Sequence, residues 1–92
     1  MALAQIRLPA ALRPTVEGSP TVTAVGTTVG SALRDFAHAR PAAVNYLFGP
    51  DGRLRRSFAF FLNGVDIRNL DGEATEVHDG DVVAIVPALS GG

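Results

Sequence analysis

A chain of 92 residues has room for one domain, and an apolar share of 47% with 18% charged residues is that of an ordinary globular protein, which excludes a disordered or fibrous design. A net charge of -1 leaves no global basic field for nucleic acid, and no apolar run approaches the roughly 18 residues of a membrane span. Residues 1–8 lack a basic stretch followed by an apolar one, so a soluble, cytoplasmic chain with no nucleic-acid and no membrane partner is expected.

The first element is read from Ala4, Ile6 and Leu8, which are apolar at every second position with Gln5 and Arg7 between them. That is the period of a half-buried strand, ended by Pro9. Residues 10–19 hold Pro14 and Gly18 and read as a loop; residues 21–25 are rich in β-branched side chains and read as a second strand, forming a hairpin with the first. From Val29 the spacing turns helical, with Val29, Leu33, Phe36 and Ala37 on one face and Arg34 and Asp35 on another. Thr27 or Thr28 can cap its start, and Pro41 marks where it cannot easily continue. A second helical turn runs through Val44, Leu47 and Phe48 to the turn formers Gly49-Pro50-Asp51-Gly52.

Phe58 to Leu62 is an apolar run of strand length followed by Asn63-Gly64, the dipeptide suited to a tight hairpin, with residues 65–68 as the return strand. Residues 69–72 are polar and irregular, His78-Asp79-Gly80-Asp81 forms another turn, and residues 82–86 make a last, continuously apolar strand. One main helix covers one face of a mixed sheet of four to five strands, an α+β grasp in which the last strand is central. Residues 1–87 form the domain, and residues 88–92 form a flexible tail just beyond that strand.

Within that tail the chain reads Pro87-Ala88-Leu89-Ser90-Gly91-Gly92. An Asp-Gly-Asp turn, an apolar strand, a proline and a terminal glycine pair at this spacing resemble the MoaD/ThiS family of ubiquitin-like (β-grasp) sulfur carriers, and the CysO-type carriers of cysteine synthesis most of all. The likeness extends to Leu8-Pro9, Leu12-Arg13-Pro14, the helix from Val29, and Asn63 with Asp66 and Arg68. It implies a protein cosubstrate rather than an enzyme. An E1-like (MoeB/ThiF-type) partner uses ATP to adenylate Gly92, a sulfur donor such as a rhodanese or desulfurase leaves a thiocarboxylate, and an acceptor synthase receives the sulfur. No cofactor or metal is expected on the carrier itself. The same resemblance leaves three alternatives open: a small subunit of molybdopterin synthase, a donor for thiamine or a specialised thio-metabolite, and a ubiquitin-like modifier.

The chemistry of the chain fits that implication. It contains no cysteine, so sulfur cannot ride as a persulfide, and the terminal carboxylate is the remaining covalent attachment point. A terminal carboxyl has a pKa of about 3.3 to 3.7, so at neutral pH it is an anion and needs activation. Gly91 permits close backbone approach in a narrow site, and residues 88–92 span at most about 16 to 18 Å.

Docking asks for an apolar patch beside the tail. If Val83 and Ile85 point to the helix, alternation puts Val82, Ala84 and Val86 on the other face, and likewise puts Phe58, Phe60 and Leu62 inside with Ala59 and Phe61 outside. Phe61 and Val86, with Ala84, Pro87, Leu89 and Ser90, are the candidate partner contacts. A register shifted by one residue would exchange the two faces. His38 near a helix end, His78 in a tight turn, and Arg53, Arg55 and Arg56 in a loop have ordinary structural explanations. All eight basic residues are arginines, which fits a genome rich in G and C; a lysine-free chain also cannot form isopeptide bonds to copies of itself through a side chain.

Overall fold

The structure is a computed structural model that describes residues 1–87. The strand β1 (Ala2–Arg7) buries Ala2, Ala4 and Ile6 and exposes Leu3, Gln5 and Arg7, the alternation its sequence dictates. It pairs antiparallel with β2 (Thr21–Gly26), Arg7 lying opposite Thr21 and Ala2 opposite Gly26.

Between these strands the expected loop is a 3₁₀ helix over Ala10–Val16. Pro14 lies within it and has no N–H to donate, so the segment stays short, and Leu12 is buried in the core at 2% exposure. Glu17 ends the helix in the left-handed region at φ 58°, with the Gly18 N–H donating to the Arg13 carbonyl at 2.7 Å.

The helix α1 (Val29–His38) buries Val29, Ala32, Leu33, Phe36 and Ala37, a stripe at helical spacing. Of the two threonines that could cap it, Thr28 does so. Its Oγ1 accepts from the Ser31 N–H at 3.1 Å while the Ser31 Oγ accepts from the Thr28 N–H at 2.9 Å. The chain passes from β2 into this cap through Gly26, where a Cβ would fall 2.5 Å from the Ala32 nitrogen; only glycine fits that approach. Pro41 then opens α2 (Pro41–Leu47) at its first position, where the missing N–H costs nothing.

The strand β3 (Phe58–Leu62) turns through Asn63 and Gly64, at φ 50° and 87°, into β4 (Val65–Asp66). This return strand is two residues long, not the four expected. Asp66 accepts the Arg68 N–H at 2.9 Å and starts a 3₁₀ turn over Ile67–Asn69 that swings Ile67 into the core. A second 3₁₀ turn, Gly72–Ala74, follows within the stretch that leads to β5 (Val82–Pro87).

The described strands form one mixed sheet in the order β2-β1-β5-β3-β4, so the last strand is the middle one, parallel to β1 and antiparallel to β3. This is the β-grasp, with α1 and α2 contributing Phe36, Leu33 and Leu47 to the core on one face, together with Ile6, Phe60, Val83 and Ile85 of the sheet. Among the described residues no helix is long and apolar enough to cross a membrane.

Candidate functional site

The strand that leads to the tail is held at its start by a set of polar contacts. The Asn63 side chain donates through Nδ2 to Asp81 Oδ1 at 3.0 Å and accepts the Val82 N–H on Oδ1 at 2.9 Å, while the Asn63 N–H donates to the Val82 carbonyl. Asp81 Oδ2 accepts the His78 N–H, and Asp79 Oδ1 accepts the Leu3 N–H, both at 2.8 Å. The Gly80 N–H reaches the Leu3 carbonyl, so the Asp79-Gly80-Asp81 turn stitches β5 to both of its neighbours. The hydrogen bond from the Asn63 amide, backed by the His78 N–H, holds the Asp81 carboxyl below the usual carboxylate range.

From that anchor the alternation along β5 sets two faces. Val83 and Ile85 are buried, whereas Val82 and Ala84 are half-buried and Val86 is exposed on the face away from the helices. On this open face Ala84 lies between Arg7 of β1 and Phe61 of β3, and Phe61 in turn lies opposite Asp66 of β4. Val86 lies opposite Ala59, and the last described residue, Pro87, is exposed opposite Phe58.

The structure thus brings Phe61, Ala84 and Val86 to one face of two adjacent strands, in the register that puts Val83 and Ile85 inside. Pro87, two residues beyond Ile85 and opposite Phe58, is exposed at the strand end but falls on the other side of the alternation. Phe61 is less open than expected: flanked in register by Ala84 and Asp66, it is half-buried, and Val86, at 42% exposure, is the more accessible apolar side chain. Phe58, expected inside, is also only half-buried, its ring 4.9 Å from that of Tyr46. Leu89, Ser90, Gly91 and Gly92 lie outside the described residues.

Two features of this face had no assigned role in the sequence reading. Arg7 stands exposed beside Ala84, and Arg68 donates to Asp66 Oδ2 at 2.7 Å; that bond and the Arg68 N–H hold the Asp66 carboxyl below its usual range. The spacing Asp66-x-Arg68 was the available signal for the pair. His78, set aside as a turn residue, places Nε2 2.8 Å from Glu76 Oε1. Among the described residues no three side chains of His, Cys, Asp or Glu are grouped to hold a metal ion.

Comparison with known proteins agrees with this architecture over almost the whole length. The ThiS family profile matches residues 6–92. The sulfur carrier protein CysO of Mycobacterium tuberculosis is 35% identical over 89 residues, covering 95% of this chain and 96% of that protein. The crystal structure of that CysO superposes with a TM-score of 0.84 at 33% identity, over 94% of this chain and 99% of the other. The small archaeal modifier protein 1 of Methanosarcina acetivorans superposes with a TM-score of 0.88 at 31% identity, over 100% and 98%. A chain of the BexX/CysO complex of Amycolatopsis orientalis gives 0.81 at 30% identity, over 97% and 99%.

Proposed function

The chain belongs to the ThiS family and is a sulfur carrier protein like CysO, and from that premise we propose that the sulfur is carried on the carboxylate of Gly92. The observation that carries this reading is the placement of β5. It is the central strand, fixed at its start by Asn63 and Asp81, and its last described residue, Pro87, follows Val86 on an open face that also bears Ala84 and Phe61. A rigid strand that delivers a short tail past an apolar face suits a cosubstrate whose body docks outside a site that its end enters.

In this reading an E1-like (MoeB/ThiF-type) enzyme lets a Gly92 carboxylate oxygen attack the α-phosphorus of ATP, releasing pyrophosphate and forming the acyl adenylate. A thiol reductant cleaves the persulfide of a rhodanese or desulfurase, ending as a disulfide and releasing hydrosulfide, which adds to the acyl carbon; AMP departs with the C–O electron pair, and the hydrosulfide proton passes to solvent, leaving a thiocarboxylate. The carrier holds no cofactor of its own; ATP is used by the activating partner. Gly91, with no Cβ, lets the carboxylate through a narrow channel, and Phe61, Ala84, Val86, Pro87, Leu89 and Ser90 form the docking face and tail. An acceptor synthase of cysteine formation takes the sulfur.

A second reading, a ubiquitin-like modifier that forms an amide with a lysine of another protein, draws on the likeness to the archaeal modifier. The two share activation and differ in the acceptor. Intact-mass measurement after incubation with an adenylating enzyme, ATP and sulfide tests the first. Exchange of one oxygen for sulfur is expected, and an unchanged mass in the presence of ATP turnover refutes it.

A further inference from the structure

The net charge of -1 conceals a segregation of charge that follows from the strand directions. Because β1 and β5 run parallel, with Arg7 opposite Ala84, they end at the same edge of the fold, and β3 begins there, with Phe58 opposite Pro87. The connections at this end are residues 8–20, between β1 and β2, and residues 48–57, which enter β3. They carry Arg13, Arg53, Arg55 and Arg56, and Arg7 closes β1; all five are exposed. The acidic residues on the same connections are Glu17 and Asp51, whose Oδ1 accepts the Arg53 N–H at 3.0 Å; Glu73, from outside them, accepts the Leu54 N–H at 3.5 Å and is already paired with Arg34 at 2.7 Å. At the opposite end, the segment that enters β5 carries Glu76, Asp79 and Asp81 and no arginine.

Two of these arginines stand near the root of the tail by register: Arg7, opposite Ala84, and Arg56, two residues before the Phe58 that pairs with Pro87. Ser57 and Arg56 immediately precede Phe58, the partner of Pro87, so this end of the arginine-rich loop adjoins the last described residue of β5. Arg55 is partly structural, its Nε donating to the Asn45 carbonyl at 3.0 Å. We propose that Arg7, Arg13, Arg53 and Arg56 form a docking surface for an acidic protein surface around the mouth of the site that the tail enters, an inference that rests on the carrier reading above. An acidic rim on the partner is the occupant that charge complementarity selects, and it orients the molecule tail-first, since the acidic end is repelled. Nucleic acid is disfavoured as occupant because the patch is small and the whole chain is net negative.

The test that needs no partner enzyme is a titration of the ¹⁵N-labelled chain with an oligoglutamate peptide at low salt. Amide shifts are expected at Arg7, Arg13 and residues 53–57, fading as salt shortens the Debye length to about 8 Å at physiological strength. They should disappear in the Arg53→Glu, Arg56→Glu double variant and persist in Glu76→Gln; Arg53→Gln with Arg56→Gln is the milder pair should the reversal disturb the loop. Shifts centred elsewhere, or tighter binding of a single-stranded oligonucleotide than of the peptide, overturn the proposal. With an adenylating enzyme that activates the wild-type chain, the double reversal should lower kcat/KM about tenfold or more and flatten its salt dependence while kcat stays; an unchanged kcat/KM overturns the proposal. A wild-type chain that no such enzyme activates sinks the carrier reading, and the peptide titration still decides the docking surface.

Discussion

Replacing Asn63 with alanine removes two side-chain hydrogen bonds, to Asp81 Oδ1 and from the Val82 N–H, and leaves alanine at φ 50°. Each bond contributes about 0.5–1.5 kcal/mol, the lower half applying because both are solvent-exposed, and the left-handed backbone costs a residue such as alanine about 1–2 kcal/mol. The sum is about 2–4 kcal/mol, which at a urea slope near 1 kcal/mol per molar for a chain this small lowers the unfolding midpoint by about 2–4 M. A cycle with Asp81→Ala and the double variant isolates the amide-to-carboxylate bond from the backbone term and from the His78 N–H. A coupling of about 0.5–1 kcal/mol is expected. Coupling within about 0.3 kcal/mol of zero would refute the view that Asn63 and Asp81 together fix the start of β5.

Leu12→Ala should destabilise by about 2–5 kcal/mol in the same urea assay, because the 3₁₀ helix buries this side chain completely; a loss below about 1 kcal/mol would mean the segment is an unpacked loop. Asp81 and Asp66 both have folded pKa values below the ordinary 3.8, so the stability they contribute is present above that value and is lost as pH falls through the lower folded values. The melting-temperature gap between wild type and Asp81→Asn should therefore be widest at neutral pH and close below about pH 4; a gap independent of pH contradicts this. Val86→Asp, on an exposed site opposite Ala59, should change stability by less than about 1 kcal/mol yet lower kcat/KM with the adenylating enzyme about tenfold, whereas wild-type kinetics would remove the open face from docking.

Much of the fold was legible because its signals are local. The alternation through Ala4 and Ile6, the helical spacing of Val29, Leu33, Phe36 and Ala37, and the Asn63-Gly64 turn each depend on neighbours within a few residues, and each appears where its pattern placed it. The 3₁₀ helix at Ala10–Val16 was not legible, since Ala10, Ala11, Leu12 and Val16, interrupted by Pro14, form no strand or helix period. The return strand was overextended because Val65 and Ile67 alternate as a strand would, while the Asp66 cap that turns Ile67 inward competes with the ladder. In the candidate site, the faces of β5 followed from alternation. The Asn63–Asp81 contact and the arginine-rich end did not, because both join residues far apart in sequence and exist only once the strand order is set.

The claim that Gly92 carries sulfur is tested most directly by fragmenting the last tryptic peptide of protein isolated from its native cell. The chain has no lysine and its last arginine is Arg68, so trypsin releases residues 69–92 together. Fragment masses should place one sulfur in exchange for oxygen on Gly92 and nowhere else. A Gly92 found only as the carboxylate, or joined through an amide to a lysine of another protein, would contradict the assignment.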